Sequence, residues 1–98
     1  MLTLAPLKDK DEIKAIFKEK NIVWDEFSGV VEAHDGQAVI GLCLYSLDDK
    51  KMTVLYIEPL NDIPLADGIL RSTLHVAAER GIIRLSIVQS SGIADISL

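Results

Sequence analysis

Aromatic residues are scarce in this 98-residue chain: two Phe, two Tyr and one Trp, 5% of the whole. Hydrophobic residues nevertheless reach 49%, so any core must be built from Leu, Ile, Val and Ala. Cysteine is almost absent. The single Cys43, set in an apolar run, excludes a disulfide framework within the chain and a cysteine-based zinc site. Positive charge is also in deficit. Ten Lys and Arg against 15 Asp and Glu leave a net charge of −5, which excludes the basic footprint of a nucleic-acid binder. No apolar run approaches the length of a bilayer span, so no membrane partner is expected. The N-terminus "MLTLAPLKDKDE" lacks the basic and long apolar regions of a signal peptide, and a cytoplasmic location is the simplest expectation.

What is present has the size of one domain. "MLTLAPL" alternates leucines with small residues until Pro6, as a short edge strand does. From Asp9 to Lys20, Ile13, Ile16 and Phe17 recur at helical spacing, with acids in the first turns and lysines in the last. A loop carrying Trp24 and Phe27 follows, and both rings are expected to pack down on the body. Three strands come next. Asp35-Gly36 is a tight-turn signal between the first two, and "LDDKK" makes the second turn. "QAVIGLCLYSL" is apolar on both faces, which predicts a central strand covered on both sides. Beyond Pro59, Leu65, Ile69, Leu70, Thr73, Leu74, Val76, Ala77 and Ala78 form a wide helical face closed by Gly81. "IIRLSIV" is then a strand parallel to the one before the helix. A turn at Ser90-Ser91-Gly92 leads to one further short strand. The predicted order is β-α-β-β-β-α-β plus that tail strand: an α/β (α+β) mixed sheet with a helix on each face. The double-stranded-RNA-binding domain shares part of this order, but its second helix starts with basic residues, where this one has Asp62 and Asp67.

One long stretch resembles the GNAT superfamily of acyl-CoA-dependent N-acetyltransferases. "VLYIEPL" is similar to the family's fourth strand, with Ile57-Glu58-Pro59 at its Val-x-Pro position. "LADGILRSTLHVAAERGIIRL" is similar to the following helix and fifth strand, including the Glu79-Arg80-Gly81 ending. "VVEAHDGQAVIGLCLYSL" resembles strands two and three. The resemblance implies a single GNAT-like domain over 1–98 lacking the family's usual C-terminal helix and strands, acetyl-CoA or another acyl-CoA as cofactor, and a small-molecule or peptide amine as acceptor. It implies Glu58 as general base, since an amine must lose its proton to attack. It places the cofactor's pantetheine arm between the fourth and fifth strands, and implies Ile57, Asn61, Asp62, Leu65 and Ala66 as cofactor-binding residues. Glu32, Tyr56 and Trp24 become candidates for acceptor binding. No residue matches the family's tyrosine acid, because Tyr45 and Tyr56 lie on earlier strands.

The cofactor loop departs from the family pattern Gln/Arg-x-x-Gly-x-Gly/Ala. Asn61-x-x-Pro64-x-Ala66 overlays it with only Ala66 matching. Proline has no N–H and cannot reach positive φ. Asp62 and Asp67 occupy the positive potential at the helix start that a phosphate would use, and would repel it by a few kcal/mol at about 6 Å. Two readings stay open: an N-acyltransferase, and a catalytically inactive relative serving as a protein-binding or ligand-sensing module. An open sheet edge left by the short chain predicts a homodimer that pairs the tail segment "IADISL". The remaining chemistry-bearing residues read as structural. His75, at i,i+4 from Arg71 and Glu79, belongs to a solvated stripe. His34 and His75 are too far apart and too short of carboxylate neighbours for a metal site. Cys43 lacks the positive surroundings of a reactive thiol. Tyr56 is expected on one strand face with Val54 and Glu58, and Glu32 on the exposed face of an outer strand.

Overall fold

The computed structural model describes residues 2–48, 51–82, 84–89 and 92–97, the last two segments through their backbone. Eight elements follow one another: β1 (Leu2–Pro6), α1 (Lys10–Glu19), β2 (Ser28–Asp35), β3 (Ala38–Leu47), β4 (Lys51–Glu58), α2 (Ile63–Glu79), β5 (Arg84–Gln89) and β6 (Gly92–Ser97). They form one six-stranded sheet in the order β1-β2-β3-β4-β5-β6. Every neighbouring pair is antiparallel except β4 and β5, which run parallel because α2 connects them. The expected order of elements, the parallel pair and the tail strand are all present. Asp49 and Lys50 of the expected "LDDKK" turn, and Ser90 and Ser91 of the tail turn, lie outside the described residues.

Local chemistry explains the helix limits. The Asp9 carboxylate accepts from the Asp11 amide at 2.9 Å and caps α1; Asp11 and Glu12 sit in the first turn and Lys18 in the last, complementing the dipole. Asn21, at φ 59, ends α1 in the left-handed conformation that asparagine tolerates. Gly81 does the same for α2, at φ 72.

The two helices lie on opposite faces of the sheet. Ile13 and Phe17 of α1 pack with Val30, Leu42 and Leu44. Ile69 and Ala77 of α2 pack with Val31, Ala33, Cys43, Tyr45, Met52 and Val54. Period-two alternation along β2 and β3 therefore feeds two cores rather than one core and solvent. Fully burying a side chain such as Phe17 or Leu44 contributes about 1.5–3 kcal/mol. Thr73, the polar residue of α2 in this interior, satisfies its hydroxyl by donating to the Ile69 carbonyl at 2.9 Å.

Three packing expectations need correction. β3 is covered on both sides only from Gly41 to Tyr45; Val39 and Ile40 project beyond the helices and are 50% and 39% exposed. Phe27 does not pack down and is 64% exposed, because the loop is held instead by Asp25, whose carboxylate accepts from the Phe27 amide and the Ser28 hydroxyl. Ala78 is exposed, as α2 presents Ile69, Thr73 and Ala77 inward.

Candidate functional site

The sheet departs from regularity at Ile40, an extra residue of β3 against β2, and again at the end of β4. Pairing with β3 runs Leu44↔Tyr56 and then Tyr45↔Val54, so Leu55 is an extra residue, a β-bulge. The bulge resets which side of the sheet each later residue faces. Val54 belongs to the α2-side core, Leu55 and Tyr56 pack on the α1-side core, and Ile57 returns to the α2 side. Tyr56 therefore does not share a face with Val54, as unbroken alternation would require. Glu58 lies opposite Leu42, an α1-side residue, and so joins Tyr56 on that face.

The bulge coincides with a second irregularity. The parallel ladder to β5 runs from Lys51↔Arg84 to Val54↔Ile87 and stops there, although both strands continue. Residues 55–58 of β4 have no ladder partner in β5. The sheet is thus open between these two strands just where Ile57 points to one face and Glu58 to the other.

On the α2 face, a pocket of about 240 Å³ is lined by Val54, Ile57, Leu60, Ile63, Ala66, Asp67 and Leu70. Its walls are mainly aliphatic, and Leu60 and Ile63 at its mouth are 72% and 75% exposed. The pocket brings Ile57 and Ala66 together. Asp62 and Leu65 line a separate hollow of about 510 Å³ with Leu2, Asp35, Ile40 and Pro64. Asn61 lines neither.

The helix start beside this pocket is already capped. The Asp62 carboxylate accepts from the Leu65 amide at 3.2 Å, and the Asp62 carbonyl accepts from the Ala66 amide at 2.9 Å. Pro64 has no amide hydrogen. The amides that could reach an anion at this terminus are thus engaged or missing, apart from Ile63. Asp67 is paired with Arg71 at 2.8 Å, one turn along the exposed helix.

On the α1 face, Glu58 is held by two side chains. Lys20, closing α1, places its Nζ 2.8 Å from Glu58 Oε1. Tyr56 donates its hydroxyl to Glu58 Oε2 at 3.2 Å. The Lys20 ammonium also lies 5.3 Å from the centre of the Tyr56 ring, within cation–π range. The hydrogen bond to Glu58 raises the Lys20 pKa above its ordinary value, so the ammonium stays charged at neutral pH. Sequence reasoning missed Lys20. Its only signal was its position at the end of an amphipathic helix, which says nothing about a strand 38 residues on.

Glu32 shares this face, since Glu32 pairs with Leu42 and Leu42 with Glu58 across β2, β3 and β4. The backbones of Glu32 and Glu58 are separated by two strand spacings, about 10 Å. Glu32 is not on the exposed face of an outer strand: β1 covers that edge, its side chain is 12% exposed, and its Oε1 lies 3.0 Å from His34 Nε2. His75 similarly contacts Glu79 at 3.0 Å, so both histidines do have carboxylate neighbours, each its own. Trp24 packs on the α1-side core, its ring 4.5 Å from the Lys14 ammonium and its buried Nε1 without a hydrogen-bond partner. The described contacts do not join it to Glu58. Among the described residues, no three His, Cys, Asp or Glu side chains gather as metal ligands. No helix among them is long and apolar enough to cross a membrane.

No protein-family model and no curated protein sequence matches the chain. Solved structures do. A ribosomal-protein-alanine N-acetyltransferase from Brucella melitensis biovar Abortus 2308 superposes with a TM-score of 0.66 at 13% identity, covering 89% of this chain and 79% of that one. A GNAT family acetyltransferase from Elizabethkingia anophelis, with acetyl-CoA bound, gives 0.64 at 14% identity over 88% of this chain and 63% of that one. Nourseothricin acetyltransferase gives 0.54 at 23% identity over 64% and 41%. The chain has the α+β fold of the GNAT acetyltransferases.

Proposed function

We propose that this GNAT-fold chain is an acyl-CoA-dependent N-acyltransferase whose general base is Glu58. The observation that carries the reading is the opening between β4 and β5, with an aliphatic pocket on one face and a held carboxylate on the other. Such an opening lets a donor on the α2 side meet an acceptor on the α1 side. The similarity to a GNAT structure with acetyl-CoA bound supports acyl-CoA as donor.

The residues fit this cofactor at its apolar arm, which Val54, Ile57, Ala66 and Leu70 would flank. When bound, the cofactor supplies an acyl thioester. The chain's part is to place the acceptor and take its proton. Glu58, 38% exposed, can accept a proton from an ammonium on the α1 face or through one water. Tyr56 orients that carboxylate through Oε2, and Lys20 sits on Oε1, the oxygen that must take the acceptor's proton once Lys20 moves aside.

A second reading has its own support. With the Leu65 and Ala66 amides engaged by Asp62, and with Pro64 between, the α2 terminus offers little to a pyrophosphate. This favours an inactive relative that binds a protein or an uncharged ligand. Calorimetric titration with acetyl-CoA separates the two. The transferase reading expects binding, followed by amine acylation that Glu58→Gln lowers about 10²–10⁴-fold with the cofactor affinity unchanged. No heat at millimolar acetyl-CoA would leave only the second reading.

A further inference from the structure

Lys20 is the member of the Glu58 cluster that the proposed reaction does not use. Its stem runs from the end of α1 across to β4, and its ammonium meets a carboxylate oxygen and the face of a tyrosine. A carboxylate and an aromatic face are the contacts that bind an alkylammonium guest. We propose that Lys20 is a tethered stand-in for the acceptor, and that the acceptor is a primary amine on an unbranched alkyl chain that binds by displacing Lys20 from Glu58.

The surroundings suit that guest. Beside Glu58 lies a pocket of about 220 Å³ lined by Val39, Ile40, Gly41, Leu42 and Pro59. Its side chains are aliphatic apart from Glu58, so an alkyl chain can lie along it while its ammonium reaches the carboxylate. The half-exposed Val39 then has an occupant. The Lys20–Glu58 pair is 21% and 38% exposed, and ion pairs of such exposure are weak enough to exchange for an equivalent cation. The raised pKa keeps Lys20 protonated, which makes it an occupant of the site rather than a nucleophile within it. The inference rests on Glu58 being the group that receives the acceptor.

The test uses binding without acyl-CoA, so its failure and the failure of the transferase reading are separable. n-Butylammonium chloride is titrated into the protein, following the amide resonances of Tyr56 and Glu58 by NMR, with n-butanol as the neutral control. Lys20→Met, which keeps the stem and removes the charge, is expected to bind n-butylammonium about fivefold more tightly than the unaltered protein. The double variant with Glu58→Gln is expected to lose that gain. Equal affinity of Lys20→Met and the unaltered protein overturns the proposal, as does a gain that survives Glu58→Gln. Should Lys20→Met fail to fold, the unaltered protein decides. The ammonium resonance of Lys20 should broaden into solvent exchange as n-butylammonium is added. Its persistence, or the absence of any response at tens of millimolar amine, overturns the proposal.

Discussion

Gly41 shows how little room the candidate site has. A Cβ there would lie 2.6 Å from Ile69 Cδ1, 2.8 Å from the Glu58 carbonyl oxygen and 3.0 Å from Pro59 Cδ. The Ile69 methyl can swing aside, but the Glu58 carbonyl is backbone. Gly41→Ala is therefore expected to destabilise the fold by about 1–3 kcal/mol, read from the denaturation midpoint, by pushing the end of β4 off β3. Cys43, two residues on, is the opposite case: a group with chemistry but no access. It is fully covered, and burial pushes its thiol up to about 11, with Thr73 drawing it partly back. A thiol whose pKa is raised on folding contributes stability that is complete below its ordinary value near 9 and is lost as pH rises through about 11. Reaction with a disulfide reagent at pH 8 should therefore be slow in the native protein and become fast only when denaturant unfolds it. Rapid native labelling would show that Cys43 is not the inert core residue its neighbours make it.

Among the elements, α2 and β4 shape the site through their ends. The Asp62 cap stabilises α2 and at the same time withdraws its terminus from anions. Asp62→Ala should cost about 0.5–2 kcal/mol of stability as the cap is lost. The same change frees the Leu65 amide and removes a negative charge, so acetyl-CoA affinity should rise by about tenfold if its phosphates lie at this terminus. Thermal denaturation and calorimetry are expected to move in opposite directions. A parallel fall in both would place the phosphates elsewhere. Asp62 was legible as a charge problem from the sequence, because acids at a helix start follow from position alone. Its hydrogen bond to Leu65 was not, because a cap needs backbone geometry. The Leu55 bulge was invisible for a related reason. The run "KMTVLYIE" shows no glycine or break, and only the register against β3 reveals that one residue is extra.

At the scale of the molecule, the sheet presents β1 and β6 as its edges. β1 is five residues long and ends in Pro6, which blunts it. β6 pairs with β5 along Gly92–Ser97, and no strand among the described residues pairs its outer side. Pairing of two β6 strands across a twofold axis would close this edge, and a homodimer is expected by sedimentation equilibrium at micromolar protein, weakened by a proline at Ala94 or Ile96. A monomer at the highest accessible concentration would count against it.

The order of elements, their approximate limits and the two-faced character of the sheet follow from the amino-acid sequence alone. Those depend on alternation, helical spacing and terminal residues, all properties of neighbours along the chain. It also placed Glu58 at the end of a strand before a proline and acids at the start of α2. That Glu58 and Ile57 face opposite sides of an opening between β4 and β5, that Glu32 lies across Leu42 from Glu58, and that Lys20 comes to rest on the candidate base emerge from the folded chain. Each is a relation between elements far apart in the chain, set by strand register and by how a helix end settles on a sheet. Alternation within a single strand carries no record of either.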